Sequence, residues 1–314
     1  MDGQRTHAQQ RPASLDGFKR IIGTSACLED VRKKARVLAR VDSPVLLQGE
    51  TGVGKDVFAR ALHESGPRPN GAFVALNCAG RPHDLLAIEL IDKIAAADGG
   101  SLFLDEIAEL PVDLQPYLLR VLEDDEVHFK LIAACNTDLR LEVQAKRFRP
   151  DLFYRISMTT LQIPTLRERK GDLPMLVQHF SAAASERHRV AAKHFAPEVL
   201  DVFERCSWPG NLRQLRNVVE LMVLLADGEC VDLSVLPSEV LDSEPPAGNP
   251  PVAAINALGG LSNVEREAIQ AVIRVHRGNL TLVARELQIS RSTIYLKLRK
   301  YGLEALLNEV RGRC

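Results

Sequence analysis

Short apolar runs alternate with amphipathic stretches through the first half of the chain. Five of these runs are predicted to be strands: residues 44–48, 72–76, 101–104, 129–134 and 160–163. The stretches between them have helical spacing, as in residues 55–65, where Val57, Phe58, Ala61 and Leu62 share one face. This alternation predicts an α/β fold with a mainly parallel sheet that is covered by helices on both sides.

The rest of the chain has a different pattern. No strand is evident in residues 166–241, which are predicted to form a helical subdomain behind the α/β region of residues 18–165. Residues 242–260 contain four prolines and three glycines and are predicted to be a linker. It leads into a short helical region, residues 261–314. Residues 1–17 are polar, lack the apolar centre of a secretory signal, and are expected to be a disordered leader.

Composition narrows the class of protein. The chain has 314 residues, of which 46% are hydrophobic and 26% charged, with a net charge of −1. No apolar run reaches the roughly 18 residues of a membrane span, so a cytoplasmic protein with no membrane partner is expected. The six cysteines are scattered without a C-x-x-C pair, which predicts reduced thiols and no zinc site.

A glycine-rich motif follows the first predicted strand. Residues 49–56 read GETGVGKD and fit the pattern G-x-x-x-x-G-K between a strand and a helix. Backbone N–H groups of such a loop bind phosphates, and the lysine reaches the β- and γ-phosphates. The predicted ATP-binding residues are Gly49, Glu50, Thr51, Gly52, Val53, Gly54, Lys55 and Asp56. Asp56 is a departure, because a general P-loop has Ser or Thr there for Mg²⁺.

Two carboxylates end the third predicted strand. Asp105 and Glu106 follow the apolar run Leu102–Phe103–Leu104. A P-loop enzyme needs a carboxylate at a strand end to hold Mg²⁺, and Asp105 suits that role. A neighbouring carboxylate can orient and deprotonate the attacking water, which suits Glu106. In isolation such a pair would be a solvated strand end, but its place downstream of a P-loop favours catalysis.

With these motifs in order, the sequence from Phe18 onward resembles the AAA+ bacterial enhancer-binding proteins, the activators of sigma-54 RNA polymerase. In that family an acidic residue usually follows the P-loop lysine, so Asp56 becomes a match. The segment Ile21–Ile22–Gly23 resembles the family segment that contacts the adenine, which implies that Ile22 and Gly23 bind the nucleotide.

The resemblance implies roles for five more residues. Asn77 matches the asparagine that restrains the catalytic glutamate, and Asn136 matches the sensor I residue that detects the γ-phosphate. Arg149 and Arg155 match the arginine fingers, which act on the neighbouring subunit's ATP and imply a homo-oligomeric ring, usually a hexamer. Arg213 in WPGNLR matches sensor II. Taken singly, such residues are more often turn residues or solvated surface charges.

Two loops of the family are missing. Only residues 91–96 stand where the family inserts its GAFTGA loop, which touches sigma-54, and only His128 stands where it has a hairpin before sensor I. Either the chain has lost both loops, as regulators that do not use sigma-54 have done, or the sequence omits two segments. The abruptness of both junctions favours omission. No sigma-54-contacting residue is predicted, and the activating signal is not predicted either.

The C-terminal region has the spacing of three helices. A capping box at residues 262–265 opens the first, and the second and third, residues 280–287 and 291–300, are spaced as a helix-turn-helix. Residues 277–300 contain six basic residues and one acidic residue, an excess expected for a DNA-binding surface. It resembles the Fis-type domain. The residues predicted to contact double-stranded DNA are Arg291, Ser292, Thr293, Tyr295, Lys297 and Arg299.

The sequence therefore predicts an ATP-hydrolysing transcription activator that binds upstream DNA and remodels sigma-54 RNA polymerase, with ATP and Mg²⁺ as cofactors. The main alternative is a sigma-54-independent DNA-binding regulator whose oligomerisation is controlled by ATP, which the missing loops favour. A third alternative is a DNA-processing motor, against which the terminal helix-turn-helix counts.

Overall fold

A computed structural model describes residues 17–124, 128–237 and 240. The chain divides into two compact units, residues 1–244 and 245–314, and the described residues all belong to the first. The predicted linker, the helix-turn-helix and the six DNA-contacting residues therefore lie outside the described residues, as do residues 1–16. Gly17, the last residue of the predicted leader, is buried at the start of the 3-10 helix Gly17–Arg20.

The α/β region is built on one five-stranded sheet. Its strands are β1 (Val45–Gln48), β2 (Phe73–Asn77), β3 (Ser101–Asp105), β4 (Lys130–Cys135) and β5 (Thr160–Gln162). They lie in the order β2-β3-β4-β1-β5, and every neighbouring pair is parallel. The predicted strands are confirmed, with ends that shift by no more than one residue.

Helices cover both faces of the sheet because its strand residues alternate between two apolar clusters. Val45 and Leu47 of β1 pack with α1 and α2, whereas Leu46 packs on the opposite side with α3, α4, α5 and α6. These helices are α1 (Ala26–Ala39), α2 (Lys55–Glu64), α3 (His83–Ala96), α4 (Gln115–Glu123), α5 (Leu139–Gln144) and α6 (Pro150–Ile156). Burial on both faces explains why the strands read as continuous apolar runs.

A buried lysine ties β4 to the end of α1. Lys130 is 2% exposed, and its ammonium donates hydrogen bonds to three carbonyls, Leu38 O at 2.6 Å, Ala39 O at 3.1 Å and Val41 O at 2.8 Å. Leu38 and Ala39 close α1 and Val41 follows it, in a region where backbone carbonyls have few helical N–H donors. The Lys130 side chain lies on the same face of the sheet as Ile132 and Ala134, the face on which α1 packs, and it therefore caps the end of that helix. Burial lowers the pKa of its amine to about 8.

The second subdomain is a helical lid with a small sheet. Its helices are α7 (Leu173–His188), α8 (Pro197–Arg205) and α9 (Asn211–Leu225). They pack around Trp208, whose ring meets Phe203 edge-on with centroids 5.2 Å apart. The expectation that this region has no strand is wrong, because β6 (His194–Phe195) pairs in parallel with β7 (Cys230–Val231). Two-residue strands are too short to show a period of two in the sequence.

The register of the sheet brings the predicted site residues to one edge. Asn77 at the end of β2 pairs with Asp105 at the end of β3. Gln48 pairs with Cys135, so the P-loop and Asn136 leave the sheet side by side. Ligands of open α/β sheets bind at the carboxyl ends of the strands, and this edge is therefore the candidate site.

Candidate active site

The P-loop wraps around the start of α2. Gly52 and Gly54 have φ of +80° and +100°, a left-handed conformation that glycine adopts without strain. Lys55 is the first residue of α2 and is 6% exposed. Its ammonium donates to Gly49 O at 2.9 Å and Glu50 O at 3.4 Å, and lies 3.9 Å from the Glu106 carboxylate. The loop thus places a buried cation and a helix N-terminus together, which suits a phosphate chain.

The two predicted carboxylates have different surroundings. Asp105 ends β3, and its Oδ1 accepts a hydrogen bond from the Glu106 N–H at 3.1 Å. Glu106 has a left-handed φ of +51°, which turns its side chain away from the strand and toward Lys55. Burial raises the pKa of Glu106 above its ordinary value, although the Lys55 charge opposes the shift. A raised pKa makes Glu106 a better proton acceptor than an ordinary carboxylate.

The two asparagines lie on either side of these carboxylates. The Asn136 side chain approaches the P-loop, with its Nδ2 3.4 Å from the Thr51 hydroxyl. Asn77 pairs with Asp105 along the strands, but its Oδ1 accepts a hydrogen bond from the Ala79 N–H at 2.8 Å. The structure brings both to the site edge, and their sensing and restraining roles remain predictions.

A cavity of about 310 Å³ extends from the P-loop toward the lid. Its walls combine apolar side chains suited to a base with basic side chains suited to phosphates. The predicted residues that line it are Ile22, Gly52, Val53, Gly54, Asp56 and Arg213. Residues that were not among the predicted nucleotide-binding positions also line it: Arg20, Ile21, Val57, Phe58, Arg169, Leu176, His179, Phe180, Leu212 and Arg216.

Gly23 supports this cavity from behind. Its carbonyl and that of Ile21 accept hydrogen bonds from buried Arg32, at 3.0 and 2.8 Å. A Cβ on Gly23 would lie 2.4 Å from the Asp172 carboxylate, which binds the N–H groups of Thr24 and Ser25. Asp172 and Arg32 therefore fix the segment predicted to contact adenine. Asp172 has no local sequence pattern because its partners are remote, and Arg32 would be read as an ordinary ion pair with Glu29 on α1.

The lid grips the P-loop through Glu50, Arg167 and Asn211. The Arg167 guanidinium binds the Glu50 carboxylate with two hydrogen bonds of 2.9 and 2.5 Å, and these lower the pKa of Glu50. Asn211 is fully buried and donates to Glu50 Oε2 and Thr51 O, both at 3.1 Å, while accepting from the Leu166 N–H at 2.8 Å. Glu50, predicted to bind the nucleotide, thus points its carboxylate at the lid.

The lid backbone also touches the loop directly. The Leu212 N–H donates to Gly52 O at 3.0 Å, and a Cβ on Gly52 would lie only 2.3 Å from Gly210 O. A side chain at position 52 would therefore push the lid turn away from the P-loop. Glycine at this position serves the contact with the lid as well as the loop conformation.

The two predicted arginine fingers lie elsewhere on the surface. Arg149 immediately precedes α6, where its guanidinium is 42% exposed and pairs with Asp151 at 2.7 Å. Arg155, on the same helix, donates to Leu122 O at 2.8 Å. Among the described residues, neither belongs to the lining of the chain's own nucleotide cavity. This placement is compatible with action on a neighbouring subunit, which stays a prediction.

The segment that replaces the family's GAFTGA loop is helical. Residues 91–96 complete the continuous helix α3, which runs into the turn before β3. One face of α3 is apolar and exposed, with Leu85, Ile88 and Ile91 each about half accessible. The second junction adjoins residues 125–127, which are outside the described residues. In the part of the chain that the structure describes, no helix is long and apolar enough to cross a membrane.

Three family models match successive parts of the chain. The sigma-54 interaction domain matches residues 21–162, the AAA+ ATPase lid domain residues 167–251, and the Fis family of bacterial regulatory proteins residues 260–301. Fold, site and matches together define an ATP-binding AAA+ P-loop ATPase that carries a helical lid and a C-terminal helix-turn-helix module.

Two relatives that align with most of the chain identify the family to which it belongs. It is 35% identical over 304 residues to the transcriptional regulatory protein ZraR of Escherichia coli (strain K12), covering 88% of this chain and 68% of ZraR. It is 35% identical over 331 residues to the DNA-binding transcriptional regulator NtrC of Klebsiella pneumoniae, covering 90% and 70%. The chain therefore belongs to the AAA+ bacterial enhancer-binding proteins, the sigma-54-dependent transcriptional activators.

Solved structures agree with this fold. NtrX from Brucella abortus in complex with ATP is 32% identical with a TM-score of 0.69, over 90% of this chain and 69% of NtrX. The RuvB Holliday junction branch migration motor of Thermotoga maritima has a TM-score of 0.52 at 17% identity, covering 93% of this chain and 91% of RuvB. At that identity the likeness to RuvB shows only a shared fold and does not support the DNA-motor alternative.

Proposed function

We propose that this chain is an ATP-hydrolysing transcription activator that acts in the cytoplasm, binds upstream double-stranded DNA through its C-terminal module and remodels sigma-54 RNA polymerase. The observation that carries the proposal is the P-loop site, with Lys55 facing Glu106, in a chain that three family models match in succession from residue 21 to residue 301. The DNA-binding module selects the site on DNA, and ATP hydrolysis drives the conformational change that remodels the polymerase.

The chain's own residues divide the work of hydrolysis. The phosphate chain of ATP replaces the Gly49 and Glu50 carbonyls as the partner of Lys55, and the loop N–H groups bind the same phosphates. Glu106 orients the attacking water and accepts its proton, while Asn136 contacts the γ-phosphate and Asn77 limits the movement of Glu106. Arg213, on the cavity wall, binds the phosphates from the lid side.

Asp105 is the residue that would hold Mg²⁺. Its carboxylate stands at a strand end beside the P-loop and supplies the oxygen ligands that this cation prefers. When bound, Mg²⁺ neutralises the charge that develops on the β- and γ-phosphates. Asp56 adds a second carboxylate on the cavity wall, where a general P-loop has a hydroxyl.

A ring completes the site. Arg149, just before α6, and Arg155, on α6, both lie at the surface, and in a closed head-to-tail ring they enter the nucleotide site of the next subunit. There they stabilise the charge of the transition state, a contribution worth roughly 10³–10⁵-fold in other P-loop enzymes. The ring is proposed to be a hexamer, and the mass of the ATP-bound assembly in solution tests that number.

One structural observation bears on the rival function. Helix α3 is continuous where the family has its sigma-54-contacting loop. This observation favours the alternative function, a sigma-54-independent DNA-binding regulator in which ATP controls assembly alone. The family models and the relatives favour the activator.

Open-complex formation separates the two functions. The full chain, its DNA site, ATP and purified sigma-54 polymerase should give heparin-resistant open complexes, whereas sigma-70 polymerase should not respond. Lys55→Ala should lose ATP binding, and Glu106→Gln should bind ATP without hydrolysing it; neither should open the promoter. If the wild-type chain hydrolyses ATP and binds its DNA but never opens a sigma-54 promoter, the rival function is correct.

A further inference from the structure

A buried glutamine connects the catalytic carboxylates to the arginine-bearing segment. Gln115 is the first residue of α4 and is fully buried. Its Nε2 donates to Leu110 O at 2.8 Å and to Arg147 O at 3.0 Å, while its Oε1 accepts from the Arg149 N–H at 2.8 Å. Every strong hydrogen-bonding group of the carboxamide except one acceptor lone pair is therefore used.

The Leu110 carbonyl, which Gln115 binds, lies only four residues after the catalytic Glu106. The 3-10 helix Ile107–Glu109 begins directly after Glu106, and its turn is closed by hydrogen bonds from Glu109 N to Glu106 O and from Leu110 N to Ile107 O. Ile107 and Leu110 are buried in the same apolar cluster. One closed turn of backbone therefore connects the Leu110 carbonyl to Glu106.

The other end fixes the segment that carries Arg149. The Gln115 bonds hold the backbone on both sides of Phe148, which is itself buried in the cluster that contains Ile107 and Leu110. Pro150 then starts α6 with a fixed φ. The backbone of Arg149 is thus held firmly, while its guanidinium lies at the surface, 42% exposed and paired with Asp151.

We propose that Gln115 is a positioning residue that holds the Arg149 segment in register with Glu106, so that one subunit's catalytic site and the arginine it presents to the next subunit move together. This inference rests on the proposed function, in which Arg149 acts on a neighbouring subunit. A carboxamide is suited to the position because it both donates and accepts, which neither a carboxylate nor an apolar side chain of the same size does.

Subunit mixing tests the proposal with the full chain. Gln115→Leu removes all three hydrogen bonds with little change in volume and should lower kcat roughly 10–100-fold, since small misplacements of a catalytic group cost that much, while KM for ATP changes about twofold or less. Adding an excess of Glu106→Gln subunits, which cannot hydrolyse ATP but present an intact Arg149, should restore hydrolysis at the Gln115→Leu sites several-fold.

Two controls make the result decisive. Arg149→Ala mixed with Glu106→Gln should be rescued in the same way, and if it is not, the proposed action of Arg149 on a neighbour fails. If Arg149→Ala is rescued but Gln115→Leu keeps its kcat, or loses it without rescue, the role of Gln115 is overturned. Gln115→Glu keeps the acceptor for Arg149 N–H, loses both donors, and takes the place of the leucine variant if that variant does not fold.

Discussion

Replacing Asn211 by alanine is expected to weaken both the fold and ATP binding, because one buried carboxamide holds the lid against the P-loop. Its three hydrogen bonds join Leu166 of the lid to Glu50 and Thr51 of the loop. Its φ of +49° lies in the left-handed region, which asparagine tolerates better than alanine. The substitution therefore removes the bonds and also strains the backbone.

The loss of stability in Asn211→Ala can be estimated from the group that each broken hydrogen bond leaves without a partner. The buried Leu166 N–H loses its partner, at a cost of about 1–3 kcal/mol in the free energy of unfolding. Alanine at this φ adds about 1 kcal/mol. Glu50 is 41% exposed, so the bond to its carboxylate is screened and adds under about 1 kcal/mol. The expected total is about 2–5 kcal/mol, a large part of the ~5–15 kcal/mol of a typical domain.

Tryptophan fluorescence during urea denaturation measures this directly. Trp208 is the only tryptophan in the chain, is buried in the lid and lies three residues before Asn211. ATP binding to the same samples should show a raised Kd for Asn211→Ala. Asn211→Gly removes the same bonds but accepts the left-handed backbone, and it should be about 1 kcal/mol more stable than Asn211→Ala.

The comparison with Arg167→Met completes the test. Arg167 contacts the same carboxylate but is 47% exposed, so its loss should cost less than about 1 kcal/mol, and less still in high salt. If Asn211→Ala is as stable as the wild-type chain, or if Arg167→Met is the more damaging change, the buried amide is not what joins lid and loop. Equal stabilities of the alanine and glycine variants would refute the backbone part of the reasoning.

Three further outcomes follow from the site and the core. Lys130→Met should lower the free energy of unfolding by roughly 3 kcal/mol, because three carbonyls at and just after the end of α1 each lose a hydrogen bond. The Kd for ATP should not change, and a weaker ATP affinity would contradict a purely structural role. Because burial raises the pKa of Glu106, and its carboxylate must be ionised to act, kcat should rise with pH at values above the ordinary carboxyl range; Glu106→Gln should lower kcat about 10²–10⁴-fold and abolish this rise, and an unchanged pH profile would argue against Glu106 as the base. Burial raises the pKa of the Cys78 and Cys135 thiols to about 12, so a thiol reagent at about pH 8 should leave both unlabelled in the folded chain while exposed Cys230 reacts, as peptide mapping by mass spectrometry can check.

The ATP site was predictable because each of its parts is local. A buried strand of a parallel sheet is a continuous apolar run, and the P-loop and the Asp105–Glu106 pair each directly follow such a run. Stretches of about ten residues were enough to predict the type of each element and the strand ends to within one residue. They were also enough to place Lys55 in the P-loop and Glu106 directly after a strand.

The residues that hold these parts together were not predictable in this way. Asn211 contacts Glu50 across 161 positions, and Asp172 contacts Thr24 across 148. Gln115 binds only backbone atoms, so no partner side chain marks it. Asn211 lies within the WPGNLR motif, but that motif pointed to Arg213, and the other two are ordinary polar residues in the sequence. The importance of all three comes from burial, which depends on the whole fold. The strands β6 and β7 were missed for the related reason that each is only two residues long.

The contact of Gly52 with Gly210 makes ATP binding and lid stability a single equilibrium. A ligand that favours the closed loop also stabilises the lid turn by mass action, by about 2.7 kcal/mol at a concentration one hundred times Kd. The same linkage runs the other way, since whatever loosens the lid core around Trp208 must also weaken the grip on nucleotide. Substitutions in the lid, far from any phosphate, are therefore expected to change the Kd of this chain for ATP.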